Sequence, residues 1–532
     1  LYVEQRDALV GAFGPEGQGT RAAGRLSLRE LQLAPMLVQR APVDVAGVFL
    51  RHGELAQAVE HIRRMSGSAG GMEGEILHFL ERARHDDASG AQALEQIAGG
   101  FMRMRPSISR AICRLGARRF PTDARFPLCL ARIASQEEDI ADATGWYAEA
   151  VRLAPGEREV YDEALERLAE LMGEGALTND LAASRSVARS ALAILDERTR
   201  RWPGSAPAVT RDALLLSIAR AEMAHGNVAE ARSRLASSLA ARETREAHVQ
   251  LGLLLERVGE PREAAEHFRR ALDMTAQDSD ESTAARAQLL EHLGDAFRRA
   301  GEDRQADRMY RQALALWDGL LRRVRGPREA QVQLRRGILL SRLGDARGSE
   351  QAFATAMDVA PSWREVYQAI LAHLVVSPPN LPLAQQVMRR AQYQLTLEPE
   401  WKVYFALWVQ AIAARAAAEP ERDVAHVLRD AEGDTWIAHL AAFGRGDLDY
   451  DGLVRVARTR GQRAEAAFYQ GTRLLGAGDV SGARQLFQQV LETGMVEFYE
   501  YQMAQDLLGA TVPAREVAAD ARTPATSPAR AP

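Results

Sequence analysis

The stretch LGLLLERVGEPREAAEHFRRAL, residues 251–272, decides the fold, because its small and aromatic residues recur at one spacing along the chain. Counted from Gly252, the later members are Gly259, Ala264, Phe268 and Ala271. Ala264 and Phe268 lie four residues apart and therefore share one face of a helix. Gly259 suits a helix end, because glycine adopts the left-handed conformation without a Cβ penalty. The spacing predicts two helices joined by a tight turn and packed closely where their residues are small.

The same spacing returns in six other places, three of them clear and three degenerate. The clear copies begin at Gly294 (with Gly301, Ala306, Tyr310 and Ala313), Gly337 (with Gly344, Ser349, Phe353 and Ala356) and Gly471 (with Gly478, Ala483, Phe487 and Val490). The degenerate copies begin at Ala46, Ala131 (with Ala143, Tyr147 and Ala150) and Ala219. A single helix pair cannot bury its apolar face, so recurrence of this kind predicts a stacked repeat array.

Segments 251–271, 293–314 and 336–361 resemble the tetratricopeptide repeat (TPR), although His248, Leu290 and Gln333 stand where that family has an early tryptophan. The resemblance implies an all-α fold, a right-handed α-solenoid of stacked antiparallel helix pairs whose first helices line a concave wall. Residues 464–508 resemble the closing repeat of bacterial TPR adaptors of the new lipoprotein I type. Those adaptors lie in the cell envelope and recruit other proteins.

The organisation expected along the chain follows the quality of the repeats. It comprises an N-terminal, partly flexible segment (1–40), degenerate TPR-like hairpins (41–245), the best-formed array (246–400), C-terminal hairpins with a capping repeat (401–510) and a tail (511–532). The tail lacks large apolar side chains, so we expect it to be disordered.

Composition narrows the classes of function. The net charge is −5 in 532 residues and no long stretch is strongly basic, which argues against nucleic acid as a partner. No apolar run approaches the roughly 18 residues of a transmembrane segment.

The two cysteines, Cys113 and Cys129, form no CxxC motif. We expect two buried free thiols, with a disulfide as the alternative if the protein is exported.

No motif predicts a catalytic, cofactor or metal site. The glycine-rich stretch at 14–24 lacks the GK[ST] of a phosphate-binding loop, and no HExxH occurs near His52, His61 or elsewhere. DLDYDG at 447–452 matches half of a calcium loop, but Arg458 stands where the bidentate carboxylate belongs. We interpret it as an acidic turn with Asp451 near a helix N-terminus. The sequence therefore predicts a protein that is not an enzyme and has no cofactor.

The stretch WKVYFALW, residues 401–408, places four aromatic side chains on one helical face. They are Trp401, Tyr404, Phe405 and Trp408. Such a stripe is typical of a buried core, and the alternative is a ridge that binds a partner.

Arginines recur at one place in the best-formed repeats and are the candidate binding residues. Arg257, Arg299 and Arg342 each follow the first glycine of their repeat by five residues. The nearby charged residues are Arg298, Glu256, Glu291 and Asp295. One interpretation is a basic strip in the groove that receives an acidic peptide or a terminal carboxylate. The other is that each arginine complements the dipole of its own helix end.

An extended concave surface suits protein recognition better than chemistry, which needs convergent polar groups in a closed pocket. The predicted function is a non-enzymatic scaffold or adaptor, of a bacterial genome by its composition, that binds a protein or peptide in the groove. The alternatives are a regulatory TPR array whose effector domain lies upstream of Leu1, and an exported envelope adaptor. The oligomeric state and the compartment, cytoplasm or bacterial envelope, stay open at this stage.

Overall fold

The computed structural model describes residues 49–50, 55–65, 72–103, 106–175, 181–276 and 279–511. The expectations for segment 1–40, for the glycine-rich stretch 14–24, for His52 and for the tail beyond Thr511 lie outside these residues. Twenty-five helices and no strand occur in the described ranges. The prediction of an all-α fold built from stacked helix pairs is confirmed.

The described residues up to Ala221 form one compact unit, and those from Glu222 onward form a second. The helices of the first unit are α1 Leu55–Met65, α2 Met72–Arg82, α3 Ala88–Phe101, α4 Pro106–Arg119, α5 Arg125–Gln136, α6 Ile140–Leu153, α7 Arg158–Gly175 and α8 Leu181–Arg201. The boundary between the units falls within α9, Arg211–Ala224. Neighbouring helices in the first unit pack on one another and bury two groups of apolar side chains, residues 50–133 and 131–218.

The second unit contains the clear repeats. Its helices are α10 Val228–Ala241, α11 Arg245–Arg257, α12 Pro261–Asp273, α13 Asp280–Arg299, α14 Asp303–Leu321, α15 Pro327–Arg342, α16 Ala346–Val359, α17 Arg364–Val376, α18 Leu381–Gln392, α19 Pro399–Arg415, α20 Arg422–Asp430, α21 Trp436–Arg445, α22 Tyr450–Val456, α23 Arg460–Gly476, α24 Val480–Glu492 and α25 Tyr499–Thr511. The pairs α11–α12, α13–α14, α15–α16 and α23–α24 are the four hairpins that the spacing predicts.

An aromatic ring packed on a glycine sets the crossing of each clear hairpin. A Cβ on Gly294 would lie 2.3 Å from Tyr310 Cε1, and one on Gly337 would lie 2.4 Å from Phe353 Cε1. Gly252 faces Phe268 in the same way, at 2.7 Å. No side chain larger than hydrogen fits there, so the glycine and the ring together fix how far each helix slides along its partner.

The last helix returns to the beginning of the second unit. The helix α25 packs on α23 and α24, as the next member of the array should, and it also packs on α17. At the start of α23, Arg460 Nη1 donates to His225 O at 3.1 Å, in the turn before α10. The end of this array therefore contacts its beginning. The side that α25 faces is formed by α11, α13 and α17, each the first helix of its hairpin.

The expectation of two free thiols was wrong, because Cys113 and Cys129 form a disulfide. Cys113 lies in α4 and Cys129 in α5, two helices that are neighbours in the chain and pack on each other. Their Cα atoms are 6.2 Å apart, within the range that a disulfide spans. Sequence spacing alone does not reveal which faces of α4 and α5 meet, and this is why the pairing was missed.

We predict that Gly294→Ala lowers the free energy of unfolding by about 1–3 kcal/mol, because the new methyl group overpacks against Tyr310. Gly319→Ala is the matched control: it also lies in a helix of this hairpin, and the nearest atom to its Cβ would be Arg322 Nη2 at 3.9 Å. The control should gain about 0.5–1 kcal/mol from helix propensity. Urea denaturation followed by circular dichroism measures both, and equal effects would contradict the close packing.

The disulfide gives a second prediction, which concerns the first unit. Replacing both cysteines by serine opens a loop of 16 residues and should cost about 3 kcal/mol. Hydrogen exchange in α4 and α5 should accelerate in the double variant and in reduced wild-type protein to the same extent. Wild-type protein whose exchange in α4 and α5 does not respond to a reducing agent would refute the assignment.

Candidate functional site

The three predicted arginines end three successive first helices. Arg257, Arg299 and Arg342 are the last residues of α11, α13 and α15. Each comes two residues before a glycine with positive φ, which stops its helix. The repeat therefore places the three guanidinium groups at equivalent positions. We call this set the arginine ladder.

Carboxylates from the end of the chain lie on two of the three arginines. Arg257 forms an ion pair with Glu497, in the turn before α25. Arg299 Nη2 lies 2.7 Å from Asp506 Oδ1, within α25. We call residues 494–511, which comprise this turn and α25, the closing segment. It supplies acidic groups from more than 200 positions away in the sequence.

The closing segment also binds the backbone at the end of α11. Gln505 Nε2 donates to Glu256 O at 3.2 Å and to Arg257 O at 2.9 Å. These carbonyl groups belong to the last turn of the helix, where the regular donor four residues further along is missing. Arg299 Nη1 donates to Glu256 O as well, at 3.2 Å. The ladder and the closing segment thus share the acceptors of a helix C-terminus.

Glu256 and Asp295 lie within the ladder. Glu256 Oε1 is 3.4 Å from Arg299 Nη1, and Asp295 Oδ1 is 2.7 Å from Arg342 Nη1. Burial would raise the pKa of Glu256, but His292 and the positive charges of Arg299 and Arg342 outweigh it and hold the pKa below its usual value. Glu256 is therefore ionised at neutral pH and neutralises part of the ladder.

Arg298 and Glu291 lie beside the ladder in different surroundings. Arg298 sits over the ring of Tyr310 at 4.9 Å, and Arg342 lies 5.3 Å from the same ring. Glu291 is buried, and its Oε1 accepts a hydrogen bond from Trp317 Nε1 at 2.5 Å. Its pKa is raised, because burial outweighs the nearby charge of Arg335. Glu291 is thus bonded to the core of the α13–α14 hairpin.

One group in the described part of the chain has the spacing of metal ligands: Glu256, His292 and Asp295, whose ligand atoms lie within 4.8 Å of one another. Arg299 and Arg342 already pair with the two carboxylates. A cation placed there would meet two guanidinium groups at close range, so the charge balance does not favour it.

A second set of buried carboxylates holds the other side of the closing segment. Glu500, in α25, accepts a hydrogen bond from Tyr469 Oη at 2.9 Å. Glu465 is contacted by Tyr404 Oη at 3.3 Å and by Trp436 Nε1. Burial first, and then the charge of Glu500, raise the pKa of Glu465 to about 8. Glu465 is therefore protonated at neutral pH, which makes this buried pair tolerable.

The aromatic stripe of α19 belongs mainly to the core. Phe405 and Trp408 are fully buried, and Trp408 Nε1 donates to Tyr469 Oη at 3.1 Å. Trp401 and Tyr404 are half-buried. The stripe packs toward α23 and α25, so it positions Glu465 and Glu500 rather than forming a free ridge.

The partial calcium motif is an acidic turn at a helix start, as the sequence indicated. Asp449 caps α22 by accepting a hydrogen bond from Gly452 N at 2.8 Å, and Asp451 lies in the first turn. Asp447 pairs with Arg445 at 2.6 Å. Asp449 and Asp447 are thus used by local contacts.

Sequence reasoning missed Glu497, Gln505 and Asp506. They lie in the repeat that was recognised as a closing unit, but their partners belong to repeats far earlier in the chain. Two acidic residues on a final helix and its turn, together with arginines at a fixed repeat position, are the only sequence signal for this contact. That signal does not specify which repeats meet.

Comparison with known proteins agrees with the repeat assignment. Residues 243–318 match the tetratricopeptide repeat family, so the chain carries tetratricopeptide repeats. No curated protein matches the chain significantly.

Solved structures show weak likeness. The apo form of RapI is 9% identical, with 70% of this chain and 97% of that chain covered and a TM-score of 0.37. BtubC (BKLC) from P. vanneervenii is 18% identical, with 42% and 91% covered and a TM-score of 0.34. TTC0263, a thermophilic TPR protein in Thermus thermophilus, is 19% identical, with 38% and 98% covered and a TM-score of 0.22. The resemblance of residues 464–508 to envelope adaptors stays a prediction.

The buried Glu465 predicts that stability falls as the pH rises. A carboxyl whose pKa is raised on folding stabilises the folded state fully below its unfolded pKa and loses that contribution as the pH passes its folded value, about 8. Between about pH 4.5 and 8 this group alone should lower the free energy of unfolding by up to about 1.4 kcal/mol per pH unit.

Glu465→Gln keeps a hydrogen-bonding side chain that cannot ionise, so it should remove this part of the pH dependence. Urea denaturation at pH 5, 6.5 and 8 measures the slope, with exposed Glu492→Gln as the control. A slope that is the same in wild type and Glu465→Gln would show that Glu465 is ionised in the folded protein.

Proposed function

We propose that this protein is a non-enzymatic interaction scaffold whose arginine ladder binds an acidic segment of a partner protein. The tetratricopeptide repeats support the general role, since stacked helix pairs present an extended surface for protein recognition. The arginine ladder supports an acidic partner. The main observation is that carboxylates from a distant segment of the chain already pair with Arg257 and Arg299.

The closing segment indicates which contacts such a partner would make. It brings a carboxylate to each of two arginines and an amide that donates to helix carbonyls. It also buries Tyr501, Met503 and Leu507. A partner helix with acidic residues beside an apolar face would replace both kinds of contact.

Binding at the ladder is therefore an exchange with the closing segment. Release of the segment alone would expose three large apolar side chains, at about 2 kcal/mol each. A partner that covers the same surface regains that energy, so the net cost is small. The apparent affinity for a partner is then the intrinsic affinity multiplied by the fraction of molecules in which the closing segment is released.

The test uses a labelled synthetic peptide of residues 494–511 as a model acidic helix. Asp506→Arg places two positive charges together and should loosen the closing segment from Arg299. We expect the full-length Asp506→Arg variant to bind the peptide with micromolar affinity, about −8 kcal/mol, and at least tenfold more tightly than wild type. Fluorescence anisotropy measures the affinity.

Two further variants decide whether the ladder is the binding surface. Adding Arg299→Gln to Asp506→Arg leaves no ion pair between positions 299 and 506 and should weaken peptide binding at least tenfold, whereas adding Arg308→Gln, at an exposed arginine on α14, should leave it unchanged. Circular dichroism verifies that all variants keep their helices. Peptide binding that does not depend on Arg299, or that is absent from every variant, would refute the ladder as the site.

A second candidate, the exported adaptor, is favoured by one observation. Disulfides persist in oxidising compartments and are rare in the cytosol of most organisms, and Cys113 and Cys129 are joined. The test is the thiol state in the source cells. Alkylation before lysis should leave both cysteines unmodified if the protein is exported, and labelled cysteines would contradict the proposal.

A further inference from the structure

Two tyrosines occupy the same repeat position but differ in their partners. Tyr310 lies on Gly294, and its Oη donates to Asp295 Oδ1 at 2.6 Å. Asp295 is the residue directly after Gly294. Tyr147 has the same spacing from Ala131, and the residue after Ala131 is Arg132. Arginine has no acceptor, so the repeat that contains Tyr147 cannot satisfy its hydroxyl in the same way.

The hydroxyl of Tyr147 is buried and has no hydrogen-bond partner among the described residues. Ser135 Oγ donates its hydrogen to Ala131 O at 2.9 Å, and its contact with Tyr147 Oη lies outside hydrogen-bond geometry. Burial raises the pKa of Tyr147 to about 12, and Ser135 offsets only part of that rise. The phenol is thus protonated at neutral pH, and no described residue accepts its hydrogen. A buried polar group in this state lowers stability and often marks a functional position.

This hydroxyl lines a cavity of about 270 Å³ within the first unit. The polar lining comes from α5, α6 and α7 and comprises Arg132, Ser135, Gln136, Tyr147, Glu163, Arg167 and Glu170. The volume accommodates several waters or a small polar group of a ligand. Most of this polar lining comes from α5 and α7, the first helices of two successive pairs.

The cavity has hydrogen-bond donors in excess of acceptors. Glu163 uses both oxygens on Arg132, at 2.6 Å each from Nε and Nη2. Glu170 accepts from Arg167 Nη1 at 2.6 Å. Among the described residues these pairs use both oxygens of Glu163 and one oxygen of Glu170, and they leave Arg132 Nη1 and the remaining Arg167 donors, in addition to the Tyr147 hydroxyl.

We propose that this cavity is a binding site for a carboxylate, with Tyr147 Oη as the donor that selects it and Arg132 Nη1 and the Arg167 guanidinium as further donors. A carboxylate supplies acceptors only, so it can receive the hydrogen of Tyr147 Oη, which no described residue accepts. Two sources fit: an acidic side chain of a bound peptide, or a small organic acid. The site lies in the first unit and does not depend on the arginine ladder.

The first experiment compares two matched substitutions without any ligand. Tyr310→Phe loses a hydrogen bond and leaves Asp295 with one partner fewer, so its melting temperature should fall by several degrees. Tyr147→Phe removes a hydroxyl that has no partner, so its melting temperature should stay the same or rise. A fall in Tyr147→Phe as large as that in Tyr310→Phe would show that the hydroxyl is satisfied within the protein and would overturn the proposal.

The second experiment measures binding by calorimetry with glutarate, with an N-acetylated tetrapeptide amide that contains glutamate, and with the glutamine version of that peptide. Wild type and Tyr310→Phe should bind at least one of the two acids, and Tyr147→Phe should bind it at least tenfold more weakly. The glutamine peptide should not bind. Binding of glutarate would identify a small organic acid as a sufficient ligand, and binding of the peptide alone would identify a partner's acidic side chain. Absence of binding, or equal binding by Tyr147→Phe, would overturn the proposal.

Discussion

The contact on which the second unit depends is the aromatic ring packed on a glycine at each hairpin crossing. Phe268 on Gly252, Tyr310 on Gly294 and Phe353 on Gly337 leave no room for another atom, so each pair of helices has one register. Because the register is fixed, the first helix of each hairpin ends at an equivalent position. This is why residues five positions after each glycine form a ladder, and why changing one crossing would shift the charged groups at its end as well as the local core.

The sequence predicted what depends on short-range spacing, and it failed where distant elements meet. The hairpins, their glycine turns, the acidic turn before α22 and the burial of Trp408 all follow from local patterns. The disulfide and the contact of Asp506 with Arg299 do not, because they depend on which helix faces meet and on the curvature accumulated over many repeats. A small change in the rotation of each repeat would move α25 away from the ladder without altering any local pattern.

The two repeat tyrosines show that the same packing position can hold either a satisfied or an unsatisfied hydroxyl. The ring occupies the same repeat position in both hairpins, and the hydroxyl at 310 reaches the residue after the first small residue. With aspartate there, as at 295, the hydroxyl is satisfied and the hairpin is self-contained. With arginine there, as at 132, the ring still packs but the donor is left over. One substitution next to the recurrent packing position thus converts a structural contact into a donor that needs an acceptor.

The closing segment carries ionisable groups into places where burial opposes their charge. Asp506 has a raised pKa because burial outweighs the attraction of Arg299, and the pKa of Glu500 is raised by burial as well. An apolar helix would cap the array with less electrostatic cost. Acidic side chains instead tie the segment to Arg257, Arg299 and Tyr469, so that hydrogen bonds and ion pairs select its position. The position of such a helix depends on the match between its acidic groups and their partners as well as on the fit of its apolar face.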